Sequence, residues 1–373
     1  MARTTRAHTS GSALLKALLP RPTPARRTRR PAAPKIGVRR APSAARRRPA
    51  PKPTPTPTDG RGSWRQYRYS GAAGSRAYRV YVPAGLRRTS RVPLLLALHG
   101  CGQNAVEFAA STRFNRLADK HQFVVVYPEQ TRTHNPQRCW NWFRPGHQFR
   151  AKGEPGIMAG IVRRVVAETT HWRIDPRRVY VAGLSAGGAM AVVLAAVYPE
   201  LFAAVGVHSA PPYRAATGTR NALSAMRGRT EPPPPDPQAT AAMPPMIVFQ
   251  GSMDGIVHAD NAEHIADQWL ARHGIGARLR GRIDPPKRPR VTTSGPARPS
   301  TPHGRRGYHV SRWSTATERK ALEVWLVDGL RHAWSGGSPG GSFSDPRGPR
   351  ASTEMWRFFT AHRAAAAASI RAS

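Results

Sequence analysis

The stretch that most restricts how this chain can fold is Gly183-Leu184-Ser185-Ala186-Gly187. It follows the apolar run Arg178-Val179-Tyr180-Val181-Ala182 and opens the alanine-rich stretch Gly188 to Val197. Strand, G-x-S-x-G and helix in that order describe a tight turn that holds a serine hydroxyl proud of a sheet edge. The flanking glycines remove side chains that would collide where strand turns into helix. The turn also aims the backbone N–H of Ala186, at a helix N-terminus, toward a developing negative charge. The five-residue pattern alone arises by chance in a Gly- and Ala-rich chain. Its flanks, and the partners that such a serine needs, give it meaning.

From about Gly60 strands and helices alternate. Trp64 to Tyr69 and Ala77 to Val82 alternate around a Gly-rich turn as a hairpin does. Pro93 to Leu98 and Phe123 to Tyr127 are continuous apolar runs, the pattern of strands buried on both faces. Ala105 to His121 and Gly156 to His171 read as helices. Further strands fall at Ala203 to Val207, Met246 to Phe249, Tyr308 to Trp313 and Leu322 to Val327, with helices at Asn261 to His273 and Ser352 to Ala364. Pro211 to Pro237 reads as a proline-rich excursion and Asp284 to Arg306 as a basic insertion loop. This alternation predicts an α/β fold, a mostly parallel central sheet with helices on both faces and ligands at the carboxyl ends of the strands.

Residues 1–59 have a different character. They are Arg/Pro/Ala/Thr-rich, with no acidic residue before Asp59. Such a stretch buries too little apolar area to offset its ordering entropy, so a disordered basic tail precedes a folded domain over 60–373. The net charge of +39 favours polyanions or anionic surfaces, and a nucleic acid, polymer granule or anionic membrane is a candidate contact for the tail. The apolar island Ala13 to Leu19 is short and interrupted by Lys16, and does not read as a secretory signal. Cys101 and Cys139 are the only cysteines. They lie in loops that should meet near Ser185, which favours a disulfide between them over two free thiols. Two cysteines without a matching histidine cluster predict no metal site, and no cofactor is implied.

A serine hydroxyl needs a base, and the base an orienting acid. The strand at Met246 to Phe249 leads to Asp254, and the strand at Leu322 to Val327 leads to His332, both where partners of Ser185 must arrive. Asp260 and Asp328 compete for the acid, the first as a helix cap. His208, His258, His264, His303 and His309 compete for the base. The loop His99-Gly100-Cys101-Gly102-Gln103 offers the Cys101 N–H as a second oxyanion donor beside Ala186, with His99 buttressing the loop. Trp140, Trp142 and Trp334 cluster near these motifs and are candidates for an apolar wall against a substrate, although packing explains at least one of them.

The segments around His99, Cys139-Trp140-Asn141-Trp142-Phe143, Ser185 and Gly329-Leu330-Arg331-His332-Ala333-Trp334 together resemble the poly(3-hydroxybutyrate) depolymerase-type esterases, from about Trp64 to Phe359. The resemblance implies an α/β-hydrolase domain that cleaves short-chain hydroxyalkanoate or related acyl esters, with Ser185, Asp254 and His332 as its triad. Feruloyl or acetyl esterases acting on plant polysaccharide share that fold and are the alternative; a polyanion- or surface-binding protein is the non-enzymatic one. The resemblance also implies an extracellular or periplasmic protein, against which the missing signal speaks for the cytoplasm. No polymer-adsorbing domain is recognised after the closing helix, so soluble oligomers or small esters are the expected substrates.

Overall fold

The computed structural model describes residues 59–87, 89–230, 242–275, 291–295, 304–315 and 320–364. The hairpin is present as β1 (Ser63–Gly71) and β2 (Gly74–Val82), paired in register across the turn at residues 72 and 73. β3 (Arg91–Leu98) follows, then α1 (Ala105–Thr112) and α2 (Phe114–His121). The single helix expected over Ala105 to His121 is therefore two, because Arg113 takes a left-handed conformation (φ 58°) that no α-helix continues through. Next come β4 (Val124–Pro128), α3 (Gly153–Ala167), β5 (Arg173–Leu184), α4 (Ala186–Val197) and β6 (Ala204–His208).

The excursion after β6 contains a helix that the sequence reading missed, α5 (Thr219–Met226), and leads to β7 (Met246–Gly251) and α6 (Asp260–Arg272). Within the segment read as an insertion loop lies a short strand, β8 (Val291–Gly295), paired antiparallel with β9 (Tyr308–Trp313). Residues 284–290 and 296–303 of that loop fall outside the described residues, as does the tail before Asp59. β10 (Leu322–Val327), a small pair β11 (Trp334–Ser335) and β12 (Ser344–Asp345), and α7 (Ala351–Thr360) complete the order.

Ten strands form one sheet in the order β1-β2-β4-β3-β5-β6-β7-β10-β9-β8. The six in the centre, β4 to β10, are parallel, with an antiparallel pair at each edge. Alternation along β3 divides the core in two. Leu94, Leu96 and Leu98 pack with α3, α4, α5 and α6 on one face; Leu95 and Ala97 pack with α1, α2 and α7 on the other. Each such wholly buried aliphatic side chain contributes roughly 1.5–3 kcal/mol over its exposed state. The alanine-rich α4 buries every residue from Ala186 to Ala195, so the helix that follows Ser185 sits deep against the sheet. This is the α/β-hydrolase arrangement. Among the described residues no helix is long and apolar enough to cross a membrane.

Candidate active site

Ser185 stands between β5 and α4 at φ 57°, ψ −119°, a conformation rare for a residue with a side chain. The surroundings enforce it. A Cβ at Gly183 would lie 2.3 Å from the Gly187 backbone, and one at Gly187 would lie 2.1 Å from the Leu98 carbonyl oxygen, so the turn can close only with glycine at both places. The Ser185 N–H donates to the His208 carbonyl (2.9 Å), which fastens the turn to β6.

Asp254 leaves β7 three residues past its end, and His332 leaves β10 five residues past its end. Parallel register between β7 and β10 carries both loops to the same rim of the sheet. There His332 Nδ1 donates to Asp254 Oδ2 at 2.8 Å. The other oxygen, Oδ1, accepts from the backbone N–H groups of Ile256 and Val257, each at 2.9 Å. Burial works to raise the Asp254 pKa, but the His332 charge, its hydrogen bond and the two N–H donors outweigh it, so the carboxyl titrates below its ordinary 3.8. The pair is nearly buried, and the imidazole is held in one tautomer with Nε2 left over.

The loop after β3 is braced from behind. The Gly100 N–H donates to Gln103 Oε1 and the Gly102 N–H to the Gln137 carbonyl. Between them the Cys101 N–H, like that of Ala186, takes no partner among the described residues. A disulfide joins Cys101 to Cys139, with Cα atoms 4.2 Å apart. His99 Nδ1 donates to the Gly100 carbonyl and Nε2 accepts from the Gln130 N–H, and burial lowers its pKa to about 4, so the ring is neutral.

Behind this loop lies a network that the sequence did not reveal. Glu154, wholly buried in the first turn of α3, accepts from the Asn141 backbone N–H (2.6 Å) and from Asn141 Nδ2, Gln130 Nε2 and Arg76 Nη2. Gln130 Nε2 also reaches the Cys139 carbonyl. A glutamate just after Gly153 offers no sequence signal beyond its helix-start position.

Ser185 and Ala186 open onto a narrow cleft walled by Cys101, Cys139, Trp142, Phe143, Pro211 and Met226, with free space of about 10 Å³. One tryptophan of the expected wall is there. The other two are not. Trp140 is wholly buried behind the loop, its Nε1 donating to the His99 carbonyl. Trp334 is wholly buried between Phe108, Phe114 and His208, its Nε1 donating to Ser352 Oγ. Both were expected to line the substrate wall, and both instead pack beneath it. Their places are taken by Met226 from α5 and Pro211 at its approach, inside the excursion that sequence left without structure.

The competing side chains sit elsewhere. His208 is buried at the end of β6 with its Nε2 accepting from the Ser335 N–H, and burial together with the nearby His332 charge lowers its pKa to about 3. His258 pairs with Asp260 at the exposed start of α6, His264 is buried on that helix, and His309 on β9 lies 4.0 Å from Asp328. His303 falls outside the described residues.

A sequence profile described as Esterase PHB depolymerase matches residues 76–284. The chain belongs to that family. This PHB depolymerase-type chain is 35% identical over 204 residues to poly(3-hydroxyalkanoate) depolymerase C of Paucimonas lemoignei, a match covering 52% of this chain and 48% of that one. It is 31% identical over 210 residues to feruloyl esterase B of Neurospora crassa, covering 52% and 70%. The chain thus spans about half the length of the depolymerase it matches. Over 80% of its length it superposes on 99% of an acetyl xylan esterase from Aspergillus awamori, with a TM-score of 0.60 at 20% identity, a likeness of fold.

Proposed function

We propose that this family member is a serine ester hydrolase with Ser185 as nucleophile, His332 as general base and Asp254 as its orienting acid. The observation that carries the reading is the buried 2.8 Å bond between His332 and Asp254 at the rim where the Ser185 turn ends. Fixing Nδ1 as the donor leaves Nε2 to take the Ser185 proton as Oγ attacks the ester carbonyl. The Cys101 and Ala186 N–H groups then receive the tetrahedral oxyanion. The imidazolium protonates the leaving alcohol, and water repeats the cycle to free the acid. Neutral at ordinary pH, His99 and His208 carry no proton through these steps; they hold the loops that do.

The substrate reading is a short acyl ester. The cleft beside Ser185 is narrow and lined mostly by apolar side chains, as suits a small acyl group. A carbohydrate ester is the second reading, supported by the 31% identity to a feruloyl esterase. The disulfide supports an oxidising compartment outside the cytoplasm. Replacing Ser185→Ala is expected to lower hydrolysis of p-nitrophenyl butyrate by on the order of 10⁶-fold, with the circular dichroism spectrum unchanged. Retained turnover would remove the assignment. Rates on a 3-hydroxybutyrate dimer, an acetylated xylooligomer and methyl ferulate separate the substrate readings.

A further inference from the structure

A groove of about 850 Å³ runs along α3 from the turn of the β1–β2 hairpin to the first residues of β3 and β5, where the parallel strands begin. Four arginines line it, Arg91, Arg163, Arg164 and Arg173, and no aspartate or glutamate does. Arg91 and Arg173 are register partners on β3 and β5, so two like charges stand side by side at the start of a parallel pair. That juxtaposition is destabilising by itself. Arg163 lies 5.7 Å from the centre of the Tyr198 ring, and its Nε is sealed from water without a hydrogen-bond partner.

The nearby carboxylates are occupied elsewhere. Glu168 faces His171, Asp175 is bound to Arg178 at 2.7 Å, and Glu200 is bound to Arg150. None of the four groove arginines has an ion-pair partner among the described residues. A plainer account covers part of this: a cation near the C-terminus of α3 suits the helix dipole, which explains Arg164. It explains neither the adjacent Arg91 and Arg173 nor the sealed, unpartnered Nε of Arg163.

We propose that this groove binds a multivalent, phosphate-bearing anion of two or three linked phosphates. Guanidinium forks match phosphate oxygens bidentately. Two strand starts and a helix bring four guanidinium groups to one groove, more positive charge than one small monovalent anion balances, and the volume is that of an ordinary small-molecule site. Arg91 and Arg173 open β3 and β5 at the rim opposite Ser185, so the assignment stands independently of the reaction there.

The test is calorimetric titration of the full chain with sodium tripolyphosphate at about 0.15 M salt, where surface charge is screened beyond ~8 Å. One saturable site is expected. Arg91→Gln/Arg173→Gln and Arg163→Gln/Arg164→Gln should each weaken it by about tenfold or more, while Arg220→Gln/Arg229→Gln, the same charge removed outside the groove, should change it by less than about twofold. Unchanged ester hydrolysis in all three variants shows that they fold. Equal weakening by the control pair, no saturable site in the parent chain, or equally tight binding of citrate would each overturn the proposal. With the site present, an adenosine triphosphate arm assigns its source: tighter binding than tripolyphosphate points to a nucleotide, equal binding to an inorganic chain.

Discussion

His99 and His208 are wholly buried side chains whose rings accept a backbone N–H, and burial puts their pKa values at about 4 and about 3. In the unfolded chain both titrate near 6.5. Between pH 6.5 and those lower values the unfolded state binds protons that the folded state refuses, so stability falls as pH falls, by about 1.4 kcal/mol per pH unit for each histidine. Asp254 acts in a separate window: its pKa is depressed in the folded state, so its contribution is present above the ordinary 3.8 and is lost only as pH falls below that. Urea unfolding of the parent and a His208→Gln variant at pH 7 and pH 5 should show a shallower acid slope in the variant. An identical slope would mean that His208 is not the neutral, buried group described. At this scale the Ser185 turn and the meeting of Asp254 with His332 were legible, because the proposed chemistry asks for those types at strand ends. The role of His208 was not, since a histidine at a strand end looks the same whether it moves a proton or carries a loop.

Elements were read well where their apolar pattern was continuous and poorly where one residue decides. Nothing in the run Ala105 to His121 announces that Arg113 turns left-handed, and the break between α1 and α2 brings Thr112 against Ser352, whose hydroxyl donates to the Thr112 carbonyl and accepts from Trp334. A tryptophan beside His332 therefore serves the core, although its place in the motif points to the cleft. α5 escaped notice because proline-rich sequence surrounds it, yet Ala222 and Met226, four residues apart, present one apolar edge to the cleft. The bond set around Glu154 joins β2, the Gln130 loop, the Asn141 loop and α3. Glu154→Gln keeps the shape and removes the charge, leaving Arg76, 2% exposed, without its counter-ion. The expected loss is about 3–5 kcal/mol in denaturant unfolding, together with slower ester turnover as the Cys101 loop loosens. A loss below 1 kcal/mol would show that Arg76 finds another partner.

Across the whole molecule, the resemblance carried by four short motifs anticipated the sheet that orders the strands, because those motifs occupy the strand ends that the topology brings together. What it could not convey is the far rim, where Arg91 and Arg173 meet only through register. The disulfide links residues 38 apart in sequence, and loop-closure entropy alone makes it worth up to about 4 kcal/mol. Cys139→Ser should lower the urea midpoint accordingly, and reductant should do the same to the parent but nothing further to the variant.

The order of the central strands has one more consequence. The serine turn follows β5, yet the acid and the base proposed for it follow β7 and β10, near residues 254 and 332. During synthesis the nucleophile leaves the ribosome about 150 residues before its base. A nascent chain can build the elbow early, yet on the proposed triad it can cleave nothing before the loop after β10 has emerged.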